Sequence, residues 1–330
     1  MQRNNFYTLI CIFIILSAGF GIYLFYFLFG FGFHDDERLY YLYLNGSITY
    51  KNKTYVFLRY MEVEHGKGPV YDTILTLTFD GNAWMRENRL EGVSPSLAPS
   101  LAIYNNNLMI YQYDTGLYAF DGENLTKISS MPADDLSFAR IYVFNNSLYI
   151  FFTEANYSEE LELYTLQLYT LRYIASGWSQ KIFITNITST SPWLSAVAIQ
   201  SFQNELFFAY TNLTQPEKRY WSTQAISLVK YDTFRWSNPV NMSEGINTPE
   251  GTSLRFINPQ LSVYKDKLYL FYSLDNEYLA ALKLFYRSFD GNIWNNITEW
   301  GENDYVVSTN SFLYLIKYLI LLCAKNSTGA

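Results

Sequence analysis

The chain has 330 residues, a formal net charge of -7 and only 16% charged residues. No run of Lys and Arg supplies the clustered positive charge that phosphates demand, which argues against nucleic acid and against an anionic lipid surface as partners. With only two Cys, Cys11 and Cys323, and two His, His34 and His65, neither a disulfide framework, a histidine metal site nor a Ser-His-Asp triad is expected, and no cofactor or metal is implied.

In chain order, residues 1–5 read as a cytoplasmic tail. From Phe6 to Phe33 no residue is charged, and this run is long enough to cross a hydrocarbon layer of ~30 Å as one helix. Its bilayer partner, and a position at the cell membrane as a single-pass anchor, follow from that length. A cleaved signal peptide ending near Ser17-Ala18-Gly19 is the alternative, but the apolar stretch continues well past that point. Arg3 precedes the span and Asp35, Asp36 and Glu37 follow it, which places the N-terminus in the cytoplasm and residues 38–330 outside. Ten Asn-x-Ser/Thr triplets support that orientation, at Asn45, Asn52, Asn124, Asn145, Asn156, Asn186, Asn212, Asn241, Asn296 and Asn326. Chance would give about four, and all lie after the span, so the exported part is expected to be N-glycosylated.

Beyond the anchor, Tyr and Phe dominate: 31 and 25 residues, fitting half-buried pleated surfaces. One motif recurs, an apolar strand, a short Asn- or Lys-rich turn and a second apolar strand. It begins at Ile48, Leu101, Ile141, Ala198, Leu261 and Val306, and from Tyr55 to Tyr314 the second strands recur every ~52 residues, the length of a four-stranded blade. A second hairpin signal follows four copies, turning at Asp80, Asp121, Asp232 and Asp290; three of these turns resume with Trp84, Trp236 and Trp294. Asp-Gly supplies the positive φ that a tight turn requires. A degenerate version ends at Trp178.

Thr78-Phe79-Asp80-Gly81-Asn82-Ala83-Trp84 and Ser288-Phe289-Asp290-Gly291-Asn292-Ile293-Trp294 resemble the Asp-box of sialidase-like six-bladed β-propellers, with Gly directly after Asp and one residue fewer in the turn. The resemblance implies an all-β fold, a six-bladed β-propeller of four-stranded antiparallel blades, preceded here by the transmembrane helix. The last copy stops early, so Arg38 to Leu44 is expected to close the ring as its outer strand. Residues 312–324 read as a blade strand; the alternative, a second membrane segment, is short and contains Lys317.

The family's Phe/Tyr-Arg-Ile-Pro motif is missing; Phe138-Ala139-Arg140-Ile141 is the nearest string, so no catalytic role is transferred. Carboxylates recur where the second strands of four copies end, Glu62 with Glu64, Asp114, Glu154 and Asp275, while the fourth copy has Asn212 there. Glu62, Asp114, Glu154 and Asp275 are therefore the candidate ligand-binding residues, expected to converge at one mouth of the propeller. Solvated loop ends explain such a pattern equally. Three functions fit: a non-catalytic surface glycoprotein that recognises a glycan or protein, a divergent glycoside hydrolase using two of the carboxylates, or a structural envelope component.

Overall fold

The computed structural model describes residues 33–35, 38–64, 68–87, 90, 99–112, 115–130, 136–174, 177–192, 194, 197–213, 224–246, 255–276 and 281–300. The chain is all-β, a β-propeller of four-stranded antiparallel blades. Blade I holds β1 (Phe33–Asp35), β2 (Arg38–Tyr50), β3 (Lys53–Glu64), β4 (Gly68–Phe79) and β5 (Trp84–Arg86), in that order across the sheet. Blade II holds β6 (Ser100–Tyr104), β7 (Asn107–Gln112), β8 (Gly116–Phe120) and β9 (Leu125–Ser129). Blade III holds β10 (Leu136–Phe144), β11 (Ser147–Ser158) and β12 (Leu163–Ile174), then an outer strand in two pieces, β13 (Gly177–Trp178) and β14 (Ile182–Ser189). Blade IV holds β15 (Val197–Phe202), β16 (Glu205–Leu213), β17 (Gln224–Tyr231) and β18 (Val240–Asn241). Blade V holds β19 (Arg255–Tyr264), β20 (Lys267–Asn276), β21 (Ala281–Phe289) and β22 (Thr298–Trp300), joined to blade IV by one parallel pair, Gln224 with Arg255.

Two expectations are corrected. The described residues form five blades, not six; the sixth copy, from Val306, lies outside them together with residues 312–324. Arg38 to Leu44 is not the outer strand of a last blade. It is the first half of β2, with Arg38 to Tyr40 held by β1 on one edge and Arg38 to Leu44 by β3 on the other, so no edge is left for ring closure at Arg38 to Tyr40. The pairing slips by one residue between Leu44 and Gly46 and the strand runs on, with Asn45 as a bulge. Of the expected membrane helix, residues 6–32 lie outside the described residues, and Phe33 opens β1 instead. Among the described residues no helix is long and apolar enough to cross a membrane.

Each first hairpin turns on two residues at positive φ: Lys51 and Asn52, Asn105 and Asn106, Asn145 and Asn146, Gln203 and Asn204, Lys265 and Asp266. Two left-handed residues define the type I′ turn, whose twist matches that of the strands, and Asn and Asp tolerate the conformation. The hairpins therefore fold where the sequence places them.

The molecule divides into two compact units, Met1–Asp134 with Arg140–Leu148 and Ala175–Trp178, and Asp135–Ala139 with Tyr149–Ile174 and Ser179–Ala330. The first is centred on Tyr50, Tyr55 and Phe57 of blade I packed with Leu108, Ile110 and Phe120 of blade II; Tyr55 meets Phe120 edge-on at 5.9 Å. In the second, Phe207 of blade IV lies 5.6 Å from Phe289 and 6.4 Å from Trp294 of blade V. Burying such a ring fully contributes about 1.5–3 kcal/mol, so these aromatic contacts between blades add substantially to cohesion.

Candidate functional site

The two ends of the blades differ in how their polar atoms are used. At the turn end, Asp80, Asp121, Asp232 and Asp290 each accept two backbone N–H bonds on Oδ1, from the residues two and three positions on, at 2.7 to 3.0 Å. Those bonds, above all the ones from Ala83, Asn124, Arg235 and Ile293, hold all four carboxyls below the usual aspartate range. In blades I, IV and V the aromatic that ends the third strand then stacks on the Trp: Phe79 on Trp84 at 5.0 Å, Tyr231 on Trp236 and Phe289 on Trp294 at 5.1 Å. Trp236 also reaches back edge-on to Phe151 of blade III at 5.9 Å. The ammonium of Lys51 in the first turn of blade I donates to the Asp121 carbonyl, and Gln203 of blade IV donates to that of Asp290 at 3.5 Å. These aspartates are structural.

At the open end the second strands deliver the candidate residues. Glu62 of β3 stands between Tyr40 and Tyr71 in register and is only 8% exposed. Arg38 is the register partner of Glu64, and Arg255 of Asp275, where the first hairpins of blades I and V open. Asp114 lies outside the described residues. Its neighbour Gln112 is buried and accepts a hydrogen bond from Thr115 Oγ1 at 2.8 Å.

Glu154 is committed elsewhere. Both of its carboxylate oxygens lie 2.9 Å from Lys181 Nζ, which sits 4.4 Å from the centre of the Tyr169 ring. Bonding to Glu154 holds the Lys181 ammonium above the usual lysine range. Lys181 is the residue that sequence reasoning missed: it precedes β14, two strands away from Glu154, and nothing local marks the pairing. Asn212, which occupies the same position in blade IV, accepts the Thr188 N–H at 2.9 Å and so ties blade IV to blade III. Glu62 falls in the first unit, Glu154 and Asp275 in the second. Among the described residues no three His, Cys, Asp or Glu come together as a metal site. Arg287 donates to the main-chain carbonyls of Asn295 at 2.9 Å and Met242 at 3.4 Å.

Seven sequon asparagines are exposed: Asn52 and Asn145 in first turns, Asn124 in an Asp turn, and Asn156, Asn186, Asn241 and Asn296 on or beside strands. Asn212 is half-buried. Asn45 is the bulge residue of β2, and Asn326 lies outside the described residues.

No family model matches the sequence. No curated protein matches it either. Among solved structures the chain is similar to an endo-1,4-β-xylanase from Bacteroides thetaiotaomicron, with 10% identity, TM-score 0.42, and coverage of 79% of this chain and 94% of that one. It is also similar to an α-L-arabinofuranosidase from Podospora anserina in complex with cellotriose, with 13% identity, TM-score 0.43, and coverage of 80% and 94%. A third is an α-L-arabinanase from Cellvibrio cellulosa complexed with arabinohexaose, with 10% identity, TM-score 0.40, and coverage of 77% and 94%. At such identities and TM-scores no residue or activity transfers, and the sialidase-like resemblance rests on the Asp turns alone.

Proposed function

We propose that the protein is a membrane-anchored surface glycoprotein, held by Phe6 to Phe33 with its N-terminus in the cytoplasm, whose blades recognise a glycan through the ends where the first hairpins open. The observation that carries this reading is the contrast between blade ends. The turn-end carboxylates accept backbone N–H bonds, and Glu62 and Asp275 fall near the other ends of the blades, close to the ends of β3 and β20, where their register partners are Tyr40 and Arg255. A carboxylate suits a sugar, whose hydroxyls donate to the acid, and an aromatic ring suits its C–H face. Glu154, engaged by Lys181, drops out of the set.

A second reading is a glycoside hydrolase, whose chemistry needs only a pair of acids. The three structures above bear the names of such enzymes, but the choice between readings rests on this chain's residues. The exported region, expressed with its anchor in detergent, is to be assayed on glycan arrays and on chromogenic glycosides. Binding without turnover, weakened about tenfold, or ~1.4 kcal/mol, by Glu62→Gln with Asp275→Asn, is the expected result. Turnover abolished by the same pair establishes the hydrolase, and unchanged retention of the double variant defeats both. Mass spectrometry of the mature protein tests the anchor: an N-terminus near Gly19 overturns it.

A further inference from the structure

Blade III carries a bulge in its outer ladder. Leu168 pairs with Thr185 but Tyr169 pairs with Phe183, which leaves Ile184 as the extra residue on β14. In a regular strand, residues three apart point to opposite faces. Here the bulge returns Phe183 and Asn186 to one face, opposite Tyr169 and Gln167 of β12. Exposure follows the register: Phe183 and Asn186 are exposed, while Ile184 and Thr185 between them are buried. Asn186-Ile187-Thr188 is also a complete N-glycosylation acceptor.

We propose that Asn186 carries an N-linked glycan whose first sugar, N-acetylglucosamine, lies on the ring of Phe183. A pyranose has one face of C–H groups, and their slight positive charge is drawn to the negative face of an aromatic ring as water leaves both. Phe183 is 49% exposed, so half of its ring is available. It is also held in place, because Tyr169 meets it edge-on at 5.7 Å and is itself stacked on Phe152 at 5.7 Å under the Lys181 ammonium. A ring fixed in advance loses little entropy on contact. The other sequon on this face, Asn156, is built differently: its Nδ2, the atom that would bear a sugar, donates to Gln167 Oε1 at 3.3 Å. Glu154, Lys181 and Tyr169 thus belong to the seat of the chain's own glycan and not to a ligand site.

This inference rests on the reading that the chain passes through an N-glycosylation machinery. The test uses the full chain made in an N-glycosylating eukaryotic cell, with glycopeptide mass spectrometry and thermal unfolding. Thr188→Ala, which removes the acceptor but keeps Asn186, is expected to lower Tm by about 2–4 °C, the size of one aromatic contact in a domain of this length. Phe183→Leu, which keeps an apolar side chain of similar volume, lowers Tm equally in the glycosylated protein and adds nothing in the Thr188→Ala background. Trimming the glycan to its first sugar leaves Tm unchanged, and Thr126→Ala, which removes the Asn124 acceptor, is silent. Asn186 unmodified while other sequons are modified overturns the proposal, as do additive losses from Phe183→Leu and Thr188→Ala. Ten unmodified sequons overturn the wider glycosylation reading together with it.

Discussion

Blade III and blades I, IV and V solve the same problem, the anchoring of an outer strand, in opposite ways. Where an Asp turn is present, its carboxylate fixes the chain within three residues and the following Trp stacks on the strand just left, so the outer strands β5, β18 and β22 need only two or three residues. Blade III has no such turn. Its outer strand instead pairs through seven of the eight residues of β14, with buried Ile184 and Ile187 on the inner face. A local side-chain bond and a long ladder are alternative sources of order, and in blade III the ladder carries a bulge that redirects side chains.

The largest expected effect breaks the ladder. Ile187 is 0% exposed, so Ile187→Ala should cost about 2–5 kcal/mol, whereas Val240→Ala on the outer strand of blade IV, at 53% exposed, should cost less than about 0.5 kcal/mol. Equal losses in urea melts would break the comparison. Next comes the turn. Gly291 has φ +105°, and an added Cβ would fall 2.1 Å from Gln203 Oε1, which must swing aside. Gly291→Thr is expected to cost about 1–3 kcal/mol for the backbone conformation, measured in the same melts.

Blade IV already has a threonine at this position. Thr233 occupies the glycine position of its Asp turn at φ 79°, a strained state for a β-branched residue. Thr233→Gly should stabilise the protein by about 1 kcal/mol, the relief of strain exceeding the glycine's added freedom in the unfolded chain. A loss of stability would mean that the turn of blade IV is not equivalent to that of blade V. The smallest effect is electrostatic. The folded pKa of Asp290 lies below its ordinary 3.8, so its contribution is complete above 3.8 and is lost as pH falls through the lower folded value. Asp290→Asn keeps the accepting oxygen but cannot titrate there, so its stability should vary less with pH below 3.8 than that of the wild type. Denaturant melts across that range check it, and identical slopes would show that the turn does not sense the charge.

The hairpins and Asp turns were legible in the sequence because their causes are local. Lys51-Asn52 and Asn105-Asn106 accept positive φ, and an Asp reaches N–H groups two and three residues ahead, whatever the rest of the chain does. The site was legible only in part. The recurrence of Glu62 and Asp275 at strand ends could be counted, but the loss of Glu154 to Lys181 depends on two strands meeting across 27 residues. Likewise, the place of Arg38 to Leu44 was decided by pairing with the long β3, which carries β2 on through a bulge at Asn45. Phe183 and Asn186 share a face for the same reason. A side chain's face is set by register, and register is chosen by a whole ladder and the core behind it, so it emerges only when the strands have found one another.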